Sequence, residues 1–206
     1  DIYERAGLDP GFFYTSLEQE MAACKRADVV FAIQDKEAEH FAASGRPVVV
    51  VGHWEPANYR TEQPARGTVT VGFAAAHNKF NKVSLDALLA EVKRTNVLAR
   101  HGAKLLLAGN LIELAKRGGG LDDVPEGVEL VGFVDDLRGF YDSLDLVINP
   151  TIVGTGLKIK TVEALARGIP LLSTSIGTEG IPIRTPFHAC PDIPDLASSL
   201  GQILED

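Results

Sequence analysis

The sequence predicts an α/β fold: a doubly wound parallel sheet, preceded by part of a second α/β domain. Short apolar runs rich in β-branched residues recur along the chain and alternate with stretches of helical periodicity. These runs are continuous rather than alternating, which is typical of parallel strands covered on both faces. The connections between strands and helices are short, as in βαβ units.

Strands and helices are predicted in turn along most of the chain. The strands, in order, are Asp28–Ile33, Pro47–Val51, Val69–Ala74, Lys104–Ala108, Val128–Val131, Asp145–Ile148 and Pro170–Ser173, with a weaker one at Phe187–Ala189. The helices are Ser16–Arg26, Lys36–Ser44, Ser84–Ala99, Asp135–Ser143, Gly156–Arg167 and Pro194–Leu204. Thr15 or Ser16 can cap the first helix, because Glu18 or Gln19 follows three residues later.

The stretch Gly52–Gly67 interrupts this alternation. It holds prolines and charges without apolar periodicity and therefore reads as a linker. The segment before it supplies too few elements for an independent core, whereas the segment after it supplies enough strands for a whole doubly wound domain. We therefore expect the end of one domain at 1–52, a linker at 53–67 and a complete domain at 68–206. The start at Asp1 suggests a chain cut from something longer.

Composition excludes several classes of function. The net charge of −8 argues against a general nucleic-acid binder, which needs a basic face. The apolar runs are too short to span a bilayer. The chain has only Cys24 and Cys190, which cannot build a disulfide framework or a four-thiolate zinc site. A soluble, cytoplasmic protein without a nucleic-acid partner is expected.

Familiar catalytic and cofactor motifs are missing. The dinucleotide fingerprint fails because Ile159 stands where the third glycine would follow Gly154 and Gly156. There is neither a phosphate-binding P-loop motif nor a Gly-x-Ser-x-Gly elbow. The five histidines are scattered without ligand spacing, and no Asp-x-Asp pair is present. We therefore expect no metal site and no cofactor, and no catalytic residue can be assigned.

The segment after the predicted strand Asp145–Ile148 favours anions. A glycine-rich loop leads into a helix whose first turn exposes unpaired N–H groups and the positive end of the dipole. Gly154 and Gly156 allow a phosphate to approach the backbone, and Lys158 adds a positive charge. Glu163 lies roughly 7–10 Å further along the helix, the separation of a diphosphate from its ribose. The pattern predicts a nucleoside diphosphate site.

A plainer interpretation exists for each of these residues. Glu163 and Arg167 have the spacing of an ordinary i, i+4 ion pair, and Lys158 and Lys160 can be solvated surface lysines. Val162, Leu165, Ala166 and Ile169 would form the core stripe of the same helix. The position favours the functional interpretation, because ligands bind parallel sheets at the carboxyl ends of their strands.

A family resemblance rests on this segment. Its residues are Gly154, Gly156, Lys158, Lys160, Glu163, Ala164, Ala166, Gly168 and Pro170, followed by Ser173, Thr174, Gly177, Glu179 and Gly180. The pattern resembles the donor-binding half of GT-B glycosyltransferases of group 1, also called family 4. Weaker similarity extends over nearly the whole chain, at Ala27–Val30, Gln34 with Glu37, Val71–Phe73, Leu107–Gly109 and Val131–Leu137.

The resemblance implies roles for individual residues. Glu163 would hold the donor's ribose, and Phe133 with Val134 would read the nucleobase through their backbone. The loop 74–78 would face the donor, with Lys79 or Lys82 adding phosphate contacts. The diphosphate would lie on the loop and helix tip formed by Gly154, Thr155, Gly156, Leu157 and Lys158.

The implied activity is metal-independent transfer of a sugar from a nucleotide-diphosphate sugar, with retention, to a glycan or lipid-linked acceptor near the membrane surface. Thr155 stands where the family often has an earlier Glu, so sugar recognition can differ. Most of the acceptor domain would be missing, so the chain alone is expected to bind a donor without turning it over. A nucleotide-sugar epimerase of the same architecture and a non-catalytic binding module remain alternatives.

Overall fold

A computed structural model describes residues 3, 7–9, 15–60, 67–118, 121 and 123–205. Part of the predicted linker, residues 61–66, lies outside them. The described strands form two parallel sheets, one of two strands and one of five. The structure therefore confirms the predicted α/β fold with a parallel, doubly wound sheet.

The smaller sheet lies near the start of the chain. Strands β1 (Val30–Ala32) and β2 (Val48–Val50) pair in parallel, and helices α1 (Leu17–Cys24) and α2 (Asp35–Ala42) each precede one of them. Ser16 caps α1: its hydroxyl accepts the Gln19 N–H at 3.3 Å, and the Gln19 side chain accepts the Ser16 N–H at 3.1 Å. This is the capping box that the sequence predicts.

The larger sheet holds five parallel strands in the order β5-β4-β3-β6-β7. The strands are β3 (Thr70–Ala74), β4 (Lys104–Ala108), β5 (Val128–Gly132), β6 (Leu146–Asn149) and β7 (Leu171–Ser173). Within this sheet the chain enters at the central β3, runs outward through β4 and β5, and returns to β6 on the other side of β3. This reversal leaves a crevice at the carboxyl ends of β3 and β6, the usual ligand position in such sheets.

Helices cover both faces of this sheet. They are α3 (Lys79–Thr95), α4 (Val97–His101), α5 (Asn110–Gly118), α6 (Leu137–Asp142), α7 (Ile159–Ala166) and α8 (Ile193–Glu205). Along β6, Leu146 and Ile148 pack into one apolar cluster, whereas Val147 packs into another with Tyr141 and Ala164. Because successive side chains point to opposite faces, a strand buried on both faces needs the continuous apolar run seen in the sequence.

Two predicted elements differ in the structure. The weak strand Phe187–Ala189 is wrong: Pro186–His188 form a 3₁₀ turn capped by Thr185, whose hydroxyl accepts the Phe187 N–H at 3.4 Å. The predicted helix Ser84–Ala99 begins at Lys79, because Asn78 caps it by accepting the Asn81 N–H at 2.7 Å. It ends at Thr95, because Asn96 adopts a left-handed conformation with φ 53°.

Two further helices depart from the sequence prediction. Helix α5 was not predicted, although Leu111 and Ile112 are buried on it. Helix α7 begins at Ile159 rather than near Gly156. Gly154 and Gly156 have φ of 147° and 70°, which a right-handed helix cannot contain, so the glycine-rich segment is loop up to Lys158.

Candidate functional site

The crevice between β3 and β6 is lined by the loops that follow these two strands. Asn81, in the first turn of α3, joins the two sides. Its side-chain N–H donates to the Ala76 carbonyl at 2.8 Å, and its side-chain oxygen accepts from Lys160 Nζ at 2.9 Å. Ser84 accepts the Ile152 N–H at 3.2 Å and so braces the loop after β6 against α3. The predicted loops therefore meet at one place.

Lys158 lies where the glycine-rich loop becomes helix α7. Its ammonium donates to the Gly156 carbonyl at 2.6 Å and to the Thr155 carbonyl at 3.3 Å. Burial lowers the pKa of this ammonium, although the nearby carboxylates of Glu179 and Glu37 oppose the shift. The sequence predicts a positive charge at this loop, and the structure places the partly buried ammonium of Lys158 there.

Lys160 points from the first turn of α7 toward β3. Its ammonium lies 4.9 Å from the centroid of the Phe73 ring, beside the hydrogen bond to Asn81. Burial, together with the positive charge of Lys158, lowers the pKa of Lys160 to about 8, although Glu163 opposes the shift. Lys160 is therefore not a solvated surface lysine.

Glu163 lies one turn further along α7 and is held from the core side. Its Oε2 accepts a 2.9 Å hydrogen bond from the hydroxyl of Tyr141, which is 1% exposed. Burial raises the pKa of Tyr141 above its usual range, and the charge of Glu163 adds to that shift. The guanidinium of Arg167 instead lies 5.6 Å from the centroid of the Tyr141 ring and 3.9 Å from the Asp142 carboxylate. The interpretation of Glu163 and Arg167 as an ordinary i, i+4 ion pair is therefore wrong.

Sequence reasoning missed a buried hydrogen-bond network beneath α7. Asn149, at the end of β6, donates from its side chain to the Thr161 hydroxyl at 2.8 Å and to the Gly177 carbonyl at 3.1 Å. Thr161 donates to the same carbonyl at 2.7 Å, and Thr174 accepts the Gly177 N–H at 3.0 Å. The network joins β6, α7 and the loop after β7, and so sets where α7 begins.

The buried face of α7 differs from its predicted stripe. Thr161 and Ala164 are fully buried, whereas Val162, Leu165 and Ala166 are only partly so, and Ile169 beyond the helix is buried as expected. Hydrophobic periodicity does not reveal the buried face of a helix when that face contains a polar residue such as Thr161. The available signal was the polar residues that directly follow apolar strands, such as Asn149.

The predicted nucleobase residues follow β5. Phe133 is 54% exposed, and its N–H donates to Glu113 Oε2 at 3.5 Å. This backbone contact is the largest of the effects that lower the pKa of Glu113. Val134 is partly buried against the apolar cluster beneath α6 and α7. Their contact with a nucleobase stays a prediction.

The two additional lysines have partners of their own. Lys79 donates to the Asp9 carbonyl, and Lys82 forms a 2.5 Å ion pair with Asp86 on the same helix. Both lysines line a cleft of about 590 Å³ beside α5, which Tyr3 and other residues also line. Their contact with a phosphate stays a prediction.

The first α/β unit touches this site. Lys36 on α2 forms a 2.5 Å ion pair with Glu179, and Glu37 lies against Gly156. Gln34 is 5% exposed and packs against Gly180. Among the described residues its side-chain oxygen has no hydrogen-bond partner. The start of α2 therefore packs beside the glycine-rich loop.

No group of three or more His, Cys, Asp or Glu side chains in the described part of the chain is arranged to hold a metal ion. No helix within the described ranges combines the length and apolar character that crossing a bilayer requires.

The family model described as glycosyl transferases group 1 matches residues 68–206. A curated protein of Klebsiella pneumoniae, an uncharacterized 44.6 kDa protein in the cps region, is 39% identical over 46 residues. That match covers 22% of this chain and 12% of the relative.

Solved structures share the fold at low identity. TarM superposes with a TM-score of 0.71 at 14% identity over 95% of this chain and 40% of its own. HepE of Anabaena, in complex with UDP and glucose, gives 0.67 at 17% over 100% and 60%. The lipopolysaccharide outer core galactosyltransferase WaaB gives 0.53 at 15% over 98% and 61%. The chain thus spans about two fifths to three fifths of these proteins.

Proposed function

The chain belongs to the group 1 glycosyl transferases, and from that premise we propose that it supplies the nucleotide-sugar site of a sugar-transferring enzyme of the GT-B fold. The main support for this proposal is that Lys158, Lys160 and Glu163 all lie at the crevice beside the carboxyl ends of β3 and β6. The HepE structures contain UDP or UDP-glucose, which supports a donor of this kind.

In this proposal each part of the donor meets a different part of the crevice. The diphosphate lies on the loop from Gly154 through Leu157, where glycines let an anion approach the backbone closely. It also lies beside Lys158 and the start of α7, because unpaired N–H groups at a helix start favour anions. The ribose hydroxyls lie against Glu163, whose Oε2 accepts from Tyr141 while its Oε1 has no hydrogen-bond donor among the described residues. The base lies against the loop of Phe133 and Val134, whose backbone contacts it, and the Phe133 side chain is exposed.

The chemistry assigned to these residues is electrostatic. As the bond between sugar and diphosphate breaks, negative charge grows on the leaving diphosphate. Preorganised N–H groups and the Lys158 ammonium stabilise that charge, a role that needs no metal ion. Retention at the sugar carbon, and a glycan or lipid-linked acceptor at the cytoplasmic membrane surface, extend the proposal from the family resemblance.

The proposed division of the chain follows from the two sheets. Residues 68–206 form the donor domain, residues 53–67 the linker, and residues 1–52 part of the acceptor-side domain. The span of the family model supports the first of these boundaries. The contacts of Lys36 and Gln34 with residues 179–180 support an acceptor-side domain next to the donor.

Titration of UDP-, GDP- and ADP-sugars by calorimetry tests the proposal. One of them should bind, and Glu163→Ala and Lys158→Ala should each weaken that binding about tenfold or more. Lys104→Ala is the control, because Lys104 pairs with Glu129 at the start of β4, away from the carboxyl ends of the strands. If no donor binds, or both site variants bind as well as the wild type, the assignment is wrong.

A further inference from the structure

We propose that Lys160 contacts the diphosphate of the donor directly and is, with Lys158, one of two cations that hold it. This inference rests on the proposed function and adds a residue to the same site.

The first support is position. Lys160 belongs to α7, yet its ammonium contacts Asn81 on α3 and the Phe73 ring on β3. The side chain therefore crosses from the β6 side of the sheet to the β3 side. That path places its charge at the point where the strand order reverses, beside the loops that would surround a diphosphate.

The second support is incomplete pairing. An ammonium has three N–H donors, and within the described residues Lys160 uses one, toward the neutral Asn81 oxygen. A desolvated lysine ordinarily pairs with a carboxylate or extends its charge into water. Lys160 instead faces an aromatic ring and an amide, which leaves two donors for an anion.

The third support is the surrounding charge. Lys158 bonds to carbonyl oxygens in the described part of the chain, and its charge acts unfavourably on Lys160. Two partly desolvated ammonium groups near the positive end of α7 repel each other and the helix dipole. A diphosphate carries at least two negative charges, so it attracts both ammonium groups and the positive helix end and offsets these repulsions.

Lys79 and Lys82, the other lysines considered for the diphosphate, have different contacts in the structure. Sequence reasoning expected extra phosphate contacts from Lys79 or Lys82, but the former donates to the Asp9 carbonyl and the latter pairs with Asp86. Lys160 forms no ion pair with a carboxylate of the described residues, and it lies at the crevice itself. We therefore assign to Lys160 the additional positive charge expected for the diphosphate.

The test compares Lys160→Met with Lys104→Met, which removes the same charge from an exposed ion pair at the start of β4. Calorimetry measures binding of UDP, GDP, ADP, uridine and inorganic pyrophosphate to each protein. Lys160→Met should lose about tenfold or more in affinity for the tightest diphosphate and for pyrophosphate, while uridine binding stays unchanged. Lys104→Met should bind every probe like the wild type.

Thermal unfolding accompanies each titration, and Lys160→Gln is the second variant, because its amide can still donate to Asn81. A folded variant of either kind that binds the diphosphate like the wild type overturns the assignment. So does a loss shared equally by UDP and uridine, which would mark a structural role. A wild-type chain that binds none of the nucleoside diphosphates instead overturns the proposed function, and this inference with it.

Discussion

The hydroxyl of the buried Tyr141 donates a 2.9 Å hydrogen bond to Glu163 Oε2. Tyr141 lies on α6 inside the apolar cluster, and Glu163 lies on α7 at its edge. The core thus holds one carboxylate oxygen in a fixed direction, and no described residue donates a hydrogen bond to the other. Tyr141 is a positioning residue for the group that we assign to the ribose.

Tyr141→Phe should therefore weaken UDP binding about threefold to tenfold, the effect of one hydrogen bond to a charged group. The phenyl ring keeps the packing, so the fold should persist. The sharper readout is the ratio of affinities for UDP and 2′-deoxy-UDP, which should fall toward one because a less fixed carboxylate discriminates less. An unchanged ratio with weaker binding of both ligands would indicate only a structural role for Tyr141.

Affinity for a nucleoside diphosphate should depend on pH through Lys160, whose pKa is about 8 in the free protein. Below that value the ammonium is charged and attracts the anion. Above it the group must first gain a proton, so the dissociation constant should rise by up to about tenfold per pH unit. UDP itself is at least about 90% ionised at pH 7 and above, because its last phosphate pKa is about 6.

Titrations between pH 7 and 9.5 measure this dependence. The charged groups acting on Lys160 are Lys158 and Glu163, whereas Asn81 and Phe73 are neutral. Because the pKa of Lys158 is also lowered, Lys160→Met should retain part of the slope and lose the component near pH 8. A slope identical in the variant would contradict the prediction.

Gly177→Ala should destabilise the fold by about 1–3 kcal/mol, the usual cost of overpacking. An added Cβ would lie 2.3 Å from Ser173 Oγ and 2.9 Å from Asn149, both fully buried. Gly118→Ala is the control, because no described atom beyond its chain neighbours and its own helix backbone lies within 4 Å of its added Cβ. Denaturant unfolding should separate the two variants, and equal midpoints would mean that the loop around Gly177 relaxes freely.

Asn96 tests the break between α3 and α4. It is exposed and left-handed, with φ 53°, so its replacement removes little packing. Asn96→Gly should leave the free energy of unfolding nearly unchanged, whereas Asn96→Ala should lower it by about 1 kcal/mol. Chemical denaturation measures both. An Ala variant as stable as the Gly variant would show that this backbone strain costs nothing.

Strand positions follow from the sequence, and the sequence also predicts a candidate site, because local patterns encode strands and glycine-rich loops. Continuous apolar runs at Lys104–Ala108 and Asp145–Ile148 predict buried parallel strands, and the structure confirms them as β4 and β6. The segment from Gly154 to Glu163 predicts the site because glycines, a lysine and a carboxylate follow one such strand.

Helix boundaries near the site required the tertiary structure. The start of α7 depends on the left-handed glycines and on the network through Asn149 and Thr161, whose partner Gly177 is distant in sequence. The turn at Pro186–His188 has the apolar content of a strand, but Thr185 and Pro186 favour a capped turn. Hydrophobic periodicity records which residues are buried without recording which hydrogen bonds they make.

By itself the sequence determined a parallel α/β fold, and it predicts an anion-binding segment at the end of one strand. Only the tertiary structure decided which charges meet there. Lys160 resembles a surface lysine in sequence, and we assign it to the site because α3 and β3 pack against it. Glu163 is held by Tyr141 rather than by its helical neighbour Arg167. Side-chain partners across elements depend on how helices cross the sheet, which spacing along one helix does not encode.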